Sequence, residues 1–239
     1  MDRAKLGTLY GISVGTGDPE LITVKGLRLL QNTNTIAFPA GIKGRLGIAQ
    51  KIIQQWLQPS QITLALEFPY VRDEAILKAA WHKSACQVWQ YLQQGDVAFA
   101  CEGDISFYST FNHLATTIKQ LYPNVPIVTV PGVCSPVAAA SELGIPLTIE
   151  KQRLTILPAF YTVRQLETAL LTAEVVVLLK VNSVYQQVWQ ILEQHQLLEH
   201  SFVVERATNS DRKIYRNLAL YPDLKLPYFS LLIVNCHQD

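Results

Sequence analysis

Residues 6–31, LGTLYGISVGTGDPELITVKGLRLLQ, join an apolar run, a glycine-rich turn and an amphipathic segment. The apolar run predicts a strand over residues 6–14, and apolar residues at three-residue spacing predict a helix over residues 19–31. Asp18 can cap the free N–H groups at the start of that helix, and Pro19 suits its first position. A strand that turns directly into a helix is typical of an α/β fold.

Short apolar runs and helical patterns alternate along the rest of the chain. Further strands are predicted at 35–38, 62–66, 96–101, 125–130, 154–157, 175–180, 202–205 and 229–235, and helices at 46–57, 73–94, 108–121, 163–172 and 184–195. Residues 208–227 are ambiguous, with an extra strand allowed at 213–218. This alternation favours a mostly parallel sheet covered by helices. The segment Tyr122-Pro123-Asn124 is the best junction, so we expect two α/β domains in tandem, residues 1–122 and 123–239.

Composition restricts the class of function. Of the 239 residues, 49% are hydrophobic and 16% are charged, and the formal net charge of +1 argues against a general nucleic-acid binder. The four cysteines match no zinc or redox spacing, which indicates free thiols in a reducing compartment, and we expect no metal site. We also expect a cytoplasmic protein without a membrane partner, because the N-terminus lacks the apolar stretch of a signal peptide and no apolar run reaches about 18 residues.

The first motif that carries chemistry is GISVGTGDPE, residues 11–20, between the first predicted strand and helix. Glycines let the backbone approach a ligand, and a helix N-terminus offers N–H groups. Its spacing is G-x-x-x-G-x-G, which differs from the G-x-G-x-x-G of dinucleotide-binding folds. A tight turn without a ligand is the alternative interpretation.

Two further motifs also follow strands. CEGDISFYST, residues 101–110, puts acidic and hydroxyl groups at the carboxyl end of a strand, where open α/β sheets bind their ligands. The alternative is that Asp104 or Ser106 only caps the next helix. VPGVCSPVAAASELGIPL, residues 130–147, predicts a helix of small residues that packs closely, either under a ligand or against another helix.

In this order the three motifs resemble those of the tetrapyrrole methylases, or class III S-adenosylmethionine-dependent methyltransferases. The family patterns are roughly G-x-G-x-G-P-G-D-P-E-L-L-T, G-D-P-x-x-Y-x-[ST] and P-G-[VI]-[ST]-S. The segments LEFPYVRDEAILKAAW, VVVLLKVNS, FVVERAT and YFSLLIVN are similar to the branch that methylates precorrin-2 at C-20, so the resemblance covers nearly the whole chain. Four residues depart from the patterns: Ser13 replaces a glycine, Thr16 and Ile105 replace prolines, and Cys134 replaces a serine or threonine.

The resemblance implies a homodimer whose protomers hold S-adenosylmethionine in a trough between two α/β domains and release S-adenosylhomocysteine. It implies a small-molecule tetrapyrrole substrate and no nucleic-acid partner. The cofactor-binding residues that it implies are Thr16, Gly103, Asp104, Phe107, Ser109, Thr110, Lys180, Val181, Ala207 and Thr208.

The implied reaction needs no protein nucleophile, because a carbon of the substrate attacks the methyl group. A general base would add about 10² to 10⁴ in rate. Asp104 and Tyr108 are the preferred catalytic residues, with Glu102 and Glu205 as further candidates for the base. For Glu205, an ion pair with Arg206 is an equally good interpretation.

Precorrin-2 is rich in carboxylates, which arginine and lysine side chains bind well. Arg45, Arg72 and Lys151 are the predicted substrate-binding residues, and Lys43 and Arg153 are further candidates. Each of them is otherwise a solvated surface charge. We expect several to converge on one site.

Other functions within the same family remain open at this point. The chain could act on another tetrapyrrole position, on diphthine or on ribosomal RNA, although its near-neutral charge disfavours RNA. It could also bind the cofactor as a sensor without catalysis. The residues do not distinguish metal-free precorrin-2 from its cobalt form, factor II.

Overall fold

A computed structural model describes residues 6–41, 45–69, 71, 73–158 and 163–236. It divides the chain into two compact units, Met1–Cys134 and Ser135–Asp239. This division lies twelve residues beyond the boundary at 122/123 that the sequence predicts, because the fifth strand, Ile127–Val130, hydrogen-bonds to the first strand and completes the first sheet.

The first unit is built on a parallel sheet of five strands in the order β3-β2-β4-β1-β5. The strands are β1 (Leu9–Ser13), β2 (Thr35–Pro39), β3 (Ile62–Leu66), β4 (Val97–Cys101) and β5 (Ile127–Val130), and the helices are α1 (Val24–Asn32), α2 (Ile48–Ile53), α3 (Glu74–Leu92) and α4 (Phe111–Leu121). In the register, Ser13 at the end of β1 lies beside Cys101 at the end of β4. Ile12 lies beside Val130 at the end of β5. The carboxyl ends of these three strands are therefore neighbours, and the loops that follow them lie side by side.

Alternating residues of the first sheet build two separate cores. On β4, Val97 and Phe99 join the cluster beneath α3 and α4, whereas Ala98 and Ala100 join the cluster beneath α1 and α2. The strand is buried on both faces, as parallel strands usually are. Complete burial of a side chain such as Phe99 stabilises the unit by about 1.5–3 kcal/mol.

The first helix begins later than the sequence predicts. Asp18 accepts a hydrogen bond from the Glu20 N–H and caps only a single 3-10 turn, Pro19–Leu21. The chain then extends through Ile22, and Thr23 caps α1 by accepting a hydrogen bond from the Gly26 N–H at 3.1 Å. The α-helix therefore starts after Thr23, five positions beyond Asp18, because Thr23 is the residue that caps it.

The second unit contains a mixed sheet of five strands in the order β6-β7-β10-β8-β9. The strands are β6 (Leu154–Pro158), β7 (Val175–Leu179), β8 (Ser201–Glu205), β9 (Lys213–Arg216) and β10 (Ser230–Asn235), and the helices are α5 (Ser135–Leu143), α6 (Val163–Thr172) and α7 (Tyr185–Gln194). The extra strand allowed within 213–218 is confirmed as β9. The expectation of a mostly parallel sheet fails here, because β10 inserts antiparallel between β7 and β8 and leaves β6 and β7 as a parallel pair.

Within the described ranges, no helix is both long enough and apolar enough to cross a membrane.

Candidate active site

Two glycines join the loops that follow β1 and β4. The Gly103 N–H donates to the Gly15 carbonyl oxygen at 2.6 Å, and the Gly15 N–H donates to the Gly103 carbonyl oxygen at 3.3 Å. The φ angle of Gly103 is +71° and that of Gly15 is +77°, a left-handed region that residues with a side chain rarely adopt. Apart from its two chain neighbours, no atom of the described residues would lie within 4 Å of a Cβ added at Gly103, so this backbone faces open space that a ligand can occupy.

Ser13 connects β1 to the loops after β4 and β5. Its side chain is fully buried, and its hydroxyl donates to the Val130 carbonyl oxygen at 2.8 Å. The same hydroxyl accepts a hydrogen bond from the Ile105 N–H at 2.8 Å. Gly132 must lack a side chain because its Cβ would lie 2.5 Å from the Cβ of Ser13.

The Asp104 carboxylate makes a second link among these loops. It accepts hydrogen bonds from the Gly132 N–H at 2.7 Å, from the Ser106 N–H at 2.9 Å and from the Ser106 hydroxyl. Burial raises the pKa of Asp104, but the hydrogen bonds from Ser106, Gly132 and Ser13 together outweigh it and hold the pKa below its usual range. The carboxylate is therefore ionised and a weak base, so its geometry favours positioning over proton removal.

Tyr108 is the exposed aromatic residue of the loop after β4. The sequence predicts it as the first residue of a helix, but α4 begins at Phe111 and Tyr108 takes a left-handed conformation with φ +51°. Such a conformation costs about 1–3 kcal/mol in a residue with a side chain and often marks a functional position. The residue is 54% exposed, and its ring meets the ring of the half-buried Phe107 edge-on at 4.9 Å between centroids.

The hydroxyl groups at the start of α4 differ in their surroundings. Ser109 is buried, accepts a hydrogen bond from the Phe111 N–H at 3.1 Å and lies 3.1 Å from the Cys101 sulfur. Thr110 is half-buried at the N-cap and makes no side-chain capping bond. Burial first, and then the charge of Glu102, raises the pKa of Cys101 to about 12, so this cysteine is a neutral thiol. Ser109 and Thr110 remain predicted cofactor contacts.

Thr16 is half-buried and lies between Gly17 and Gly15, the glycine that is bridged to Gly103. Together with Gly103, Asp104, Phe107, Ser109 and Thr110 it completes the first-unit set of predicted cofactor residues. All six lie in the two loops at the carboxyl edge of the first sheet.

The four predicted cofactor residues of the second unit also share one edge of a sheet. Lys180 and Val181 follow β7, and Ala207 and Thr208 follow β8. Both strands run antiparallel to β10, which lies between them, so their carboxyl ends meet at the same edge. Lys180 and Thr208 have φ angles of +57° and +65°, and the Lys180 ammonium lies 5.1 Å from the centroid of the Tyr228 ring.

Glu205, the alternative general base, is held by its neighbours. It is 3% exposed, accepts a hydrogen bond from the Tyr215 hydroxyl at 2.9 Å and lies 3.7 Å from the Arg206 guanidinium. Burial, followed by the hydrogen bond to Glu205, raises the pKa of Tyr215. These contacts support the ion-pair interpretation of Glu205.

The predicted substrate-binding cations are only partly described. Arg45 and Lys151 are exposed, and both remain predictions. Arg72 and Lys43 lie outside the described residues. Arg153 forms a bidentate ion pair with Glu174, in which its Nη2 and Nε atoms lie 2.8 and 3.1 Å from the two carboxylate oxygens. This pairing lowers the pKa of Glu174 to about 2. Arg153 is therefore a poor candidate for substrate binding.

Sequence reasoning missed the roles of Ser13 and Gly132. A serine between Ile12 and Val14 in a buried strand was a usable signal, since a buried hydroxyl requires hydrogen-bond partners. Its partners lie 117 and 92 residues away in the sequence, so the sequence alone could not identify them. Among the residues that the structure describes, no cluster of three or more His, Cys, Asp or Glu side chains has the arrangement of a metal site.

Comparison with known proteins identifies relatives over the full chain. The family model "Tetrapyrrole (Corrin/Porphyrin) Methylases" matches residues 8–219. The cobalt-precorrin-2 C(20)-methyltransferase of Salmonella typhimurium is 32% identical over 231 residues, with 96% of each chain covered. The precorrin-2 C(20)-methyltransferase of a Sinorhizobium species is 29% identical, with 100% of this chain and 99% of that protein covered.

A further relative is longer than this chain. The cobalamin biosynthesis protein CobIJ of Mycobacterium tuberculosis is 32% identical over 238 residues, which cover 95% of this chain and 46% of that protein. The chain thus spans about half the length of that relative.

Solved structures share the fold. A cobalt precorrin-4 methyltransferase superposes with a TM-score of 0.70 at 22% identity, covering 95% of this chain and 94% of that chain. A uroporphyrin-III C-methyltransferase from Thermus thermophilus, complexed with S-adenyl homocysteine, superposes with a TM-score of 0.66 at 20% identity, covering 96% and 97%. The family model that matches most of the chain, together with the full-length relative at 32% identity, shows that this chain belongs to the tetrapyrrole methylases.

Proposed function

We propose that the chain is a methyltransferase that transfers a methyl group from S-adenosylmethionine to C-20 of precorrin-2, giving precorrin-3A in cobalamin biosynthesis. The observation that carries this proposal is the end-to-end similarity to two proteins named for C(20) methylation, which covers 96% and 100% of the chain. A similarity restricted to the cofactor-binding motifs would support membership of the family but not the position that is methylated.

The loops of the first unit support binding of the methionine part of the cofactor. The backbone at Gly103 is open on one side, and the bridge to Gly15 fixes its position. When bound, S-adenosylmethionine supplies an activated methyl group on a sulfonium. The family resemblance implies that the loop from Gly103 to Thr110 holds its methionine part. It also implies that the residues after β7 and β8 lie near its adenosine.

The chain's main contribution to the rate is then alignment. Holding the two reactants in line supplies about 7–11 kcal/mol of the barrier in favourable cases. The hydrogen bonds of Ser13 and Asp104 leave the loop after β4 few alternative conformations, so its backbone groups are ordered before a ligand binds. Such preorganisation lowers the entropic cost of binding.

Tyr108 is better suited than Asp104 to move the proton that C-20 loses. Tyr108 is exposed in the same loop, whereas the Asp104 carboxylate is occupied by hydrogen bonds from Ser106, Gly132 and Ser13. Arg45 and Lys151 are exposed and able to bind substrate carboxylates.

The decisive experiment supplies the purified chain with isotopically labelled S-adenosylmethionine and either metal-free precorrin-2 or its cobalt form. Mass spectrometry should detect one added methyl group, and NMR of the product should assign it to C-20. Cofactor binding without any methylated product would contradict the proposal and favour a sensor.

The cobalt form is a specific alternative substrate, because the Salmonella typhimurium relative is named for it and the Sinorhizobium relative is not. The ratio of kcat/KM for the two substrates decides between them. We also propose that the enzyme is a homodimer, as the family resemblance implies, and that it is cytoplasmic, as its four free cysteines indicate. Sedimentation of the purified chain tests its oligomeric state.

A further inference from the structure

Ser13 carries a polar group at a position with no access to solvent. Its side chain is 0% exposed, so its hydroxyl must find partners within the protein. Both main partners are backbone groups on other segments, the Val130 carbonyl at the end of β5 and the Ile105 N–H after β4. One hydroxyl thus links three neighbouring strand ends.

The hydrogen bond between Ser13 and Ile105 requires both residues. A glycine at position 13 has no acceptor, and a proline at position 105 has no N–H to donate. The two residues lie 92 positions apart and both depart from the family pattern, which has glycine and proline at these places. The family's glycine or proline at either position would therefore abolish this hydrogen bond.

The same contacts extend to the Asp104 carboxylate. The Ser13 hydroxyl lies 3.5 Å from the Asp104 Oδ2 atom, and the Gly132 N–H donates to that oxygen at 2.7 Å. Gly132 approaches so closely that its Cβ would collide with Ser13. A shift of the loop after β4 would therefore disturb hydrogen bonds to both β1 and the segment after β5.

We propose that Ser13 is a positioning residue, matched to Ile105, that sets the position of residues 103–110 for binding of the cofactor. The buried hydrogen bond between the two residues restrains the backbone of the loop at Ile105. This inference rests on the proposed function only in assigning S-adenosylmethionine and S-adenosylhomocysteine as ligands of the loop.

A double-mutant cycle tests the pair. Calorimetry measures the Kd for S-adenosylhomocysteine of the wild type, Ser13→Gly, Ile105→Pro and the double variant. Each single change should weaken binding about three- to tenfold, the usual effect of one lost hydrogen bond. The double variant should bind at least about threefold more tightly than the product of the single effects predicts, because its two changes remove one shared interaction.

Two controls separate the hydrogen bond from packing. Ile105→Ala keeps the N–H but removes more of the buried side chain than proline does, so combining it with Ser13→Gly should give additive effects. Ser201→Ala removes another fully buried hydroxyl, at the amino end of β8 in the second unit, that donates to a backbone carbonyl at 2.7 Å, and it should leave the Kd unchanged.

Additive effects of Ser13→Gly and Ile105→Pro, or single variants that bind like the wild type, would overturn the inference. If Ile105→Pro alone does not fold, restored folding of the double variant supports the pairing. If neither folds, Ser13→Ala decides, and an unchanged Kd in that variant refutes the positioning role. The binding assay contains no substrate. A chain that binds the cofactor but does not methylate precorrin-2 would therefore refute the proposed function without refuting this inference.

Discussion

Replacing Asp104 with asparagine separates a positioning role from a general base. The asparagine oxygen can keep the two hydrogen bonds from Ser106, but its amide nitrogen would face the Gly132 N–H at about the present 2.7 Å. Two donors would then oppose each other in a site that is 8% exposed. One charge-assisted hydrogen bond is lost and one buried donor is left unsatisfied, which together cost about 2–4 kcal/mol.

This cost should appear in stability and in cofactor binding together. Urea unfolding followed by near-UV circular dichroism should show the loss of about 2–4 kcal/mol, or roughly 4–16 °C in Tm. The Kd for S-adenosylhomocysteine should rise in parallel. Asp96→Asn is the matched control, since its carboxylate accepts one exposed hydrogen bond from the Thr8 N–H at 2.7 Å, and it should change stability by less than about 1 kcal/mol.

The pH dependence of stability gives an independent check on Asp104. Its folded pKa lies below the ordinary value of 3.8, so its contribution is present above about pH 4 and is lost as the pH falls through the folded pKa. Asp104→Asn should remove that part of the acid sensitivity. The family resemblance predicts instead that Asp104→Ala lowers turnover far more than it weakens cofactor binding. A variant with wild-type stability and Kd but greatly reduced kcat would refute the positioning role.

Three further predictions concern the loops and the surface. Gly103→Ala should destabilise the first unit by about 1–2 kcal/mol because of its φ of +71° and weaken S-adenosylhomocysteine binding at least about tenfold by filling the open space; unchanged calorimetric binding would contradict this. Tyr108→Phe should lower kcat by about 10² or more at an unchanged cofactor Kd if the phenol moves the proton, whereas equal turnover in a steady-state assay would exclude that role. Arg153→Ala should lower stability above pH 4.5, the ordinary pKa of Glu174, and progressively less as the pH falls towards 2; urea unfolding that shows the same difference at all pH values would disprove the ion-pair explanation.

Local signals in the sequence predicted the first sheet well, because each strand of a parallel sheet is a short apolar run followed by a helix of distinct periodicity. The prediction erred at boundaries. Asp18 is a good cap, but Thr23 is the cap that α1 uses. Tyr108 continues a helical pattern, yet the loop holds it in a left-handed conformation before α4.

The second sheet was harder to predict because its pairing is not local. The last strand, β10, inserts between β7 and β8, and nothing in its own apolar pattern states which neighbours it will have. Residues 208–227 looked ambiguous for a related reason, since β9 is a short edge strand whose pattern is weak.

The sequence by itself determined the α/β class, the glycine turns at the strand ends and the family to which the chain belongs, because these depend on periodicity and on motifs a few residues long. Only the tertiary structure decided what Ser13, Asp104 and Gly132 do. The hydrogen bonds of Ser13 and Asp104 connect positions that are 92, 117 and 28 residues apart, and they exist only once parallel pairing has brought the carboxyl ends of β1, β4 and β5 to one edge. The same pairing of strands surrounds the Asp104 carboxylate, which the sequence suggested as a base, with hydrogen-bond donors from Ser106, Gly132 and Ser13.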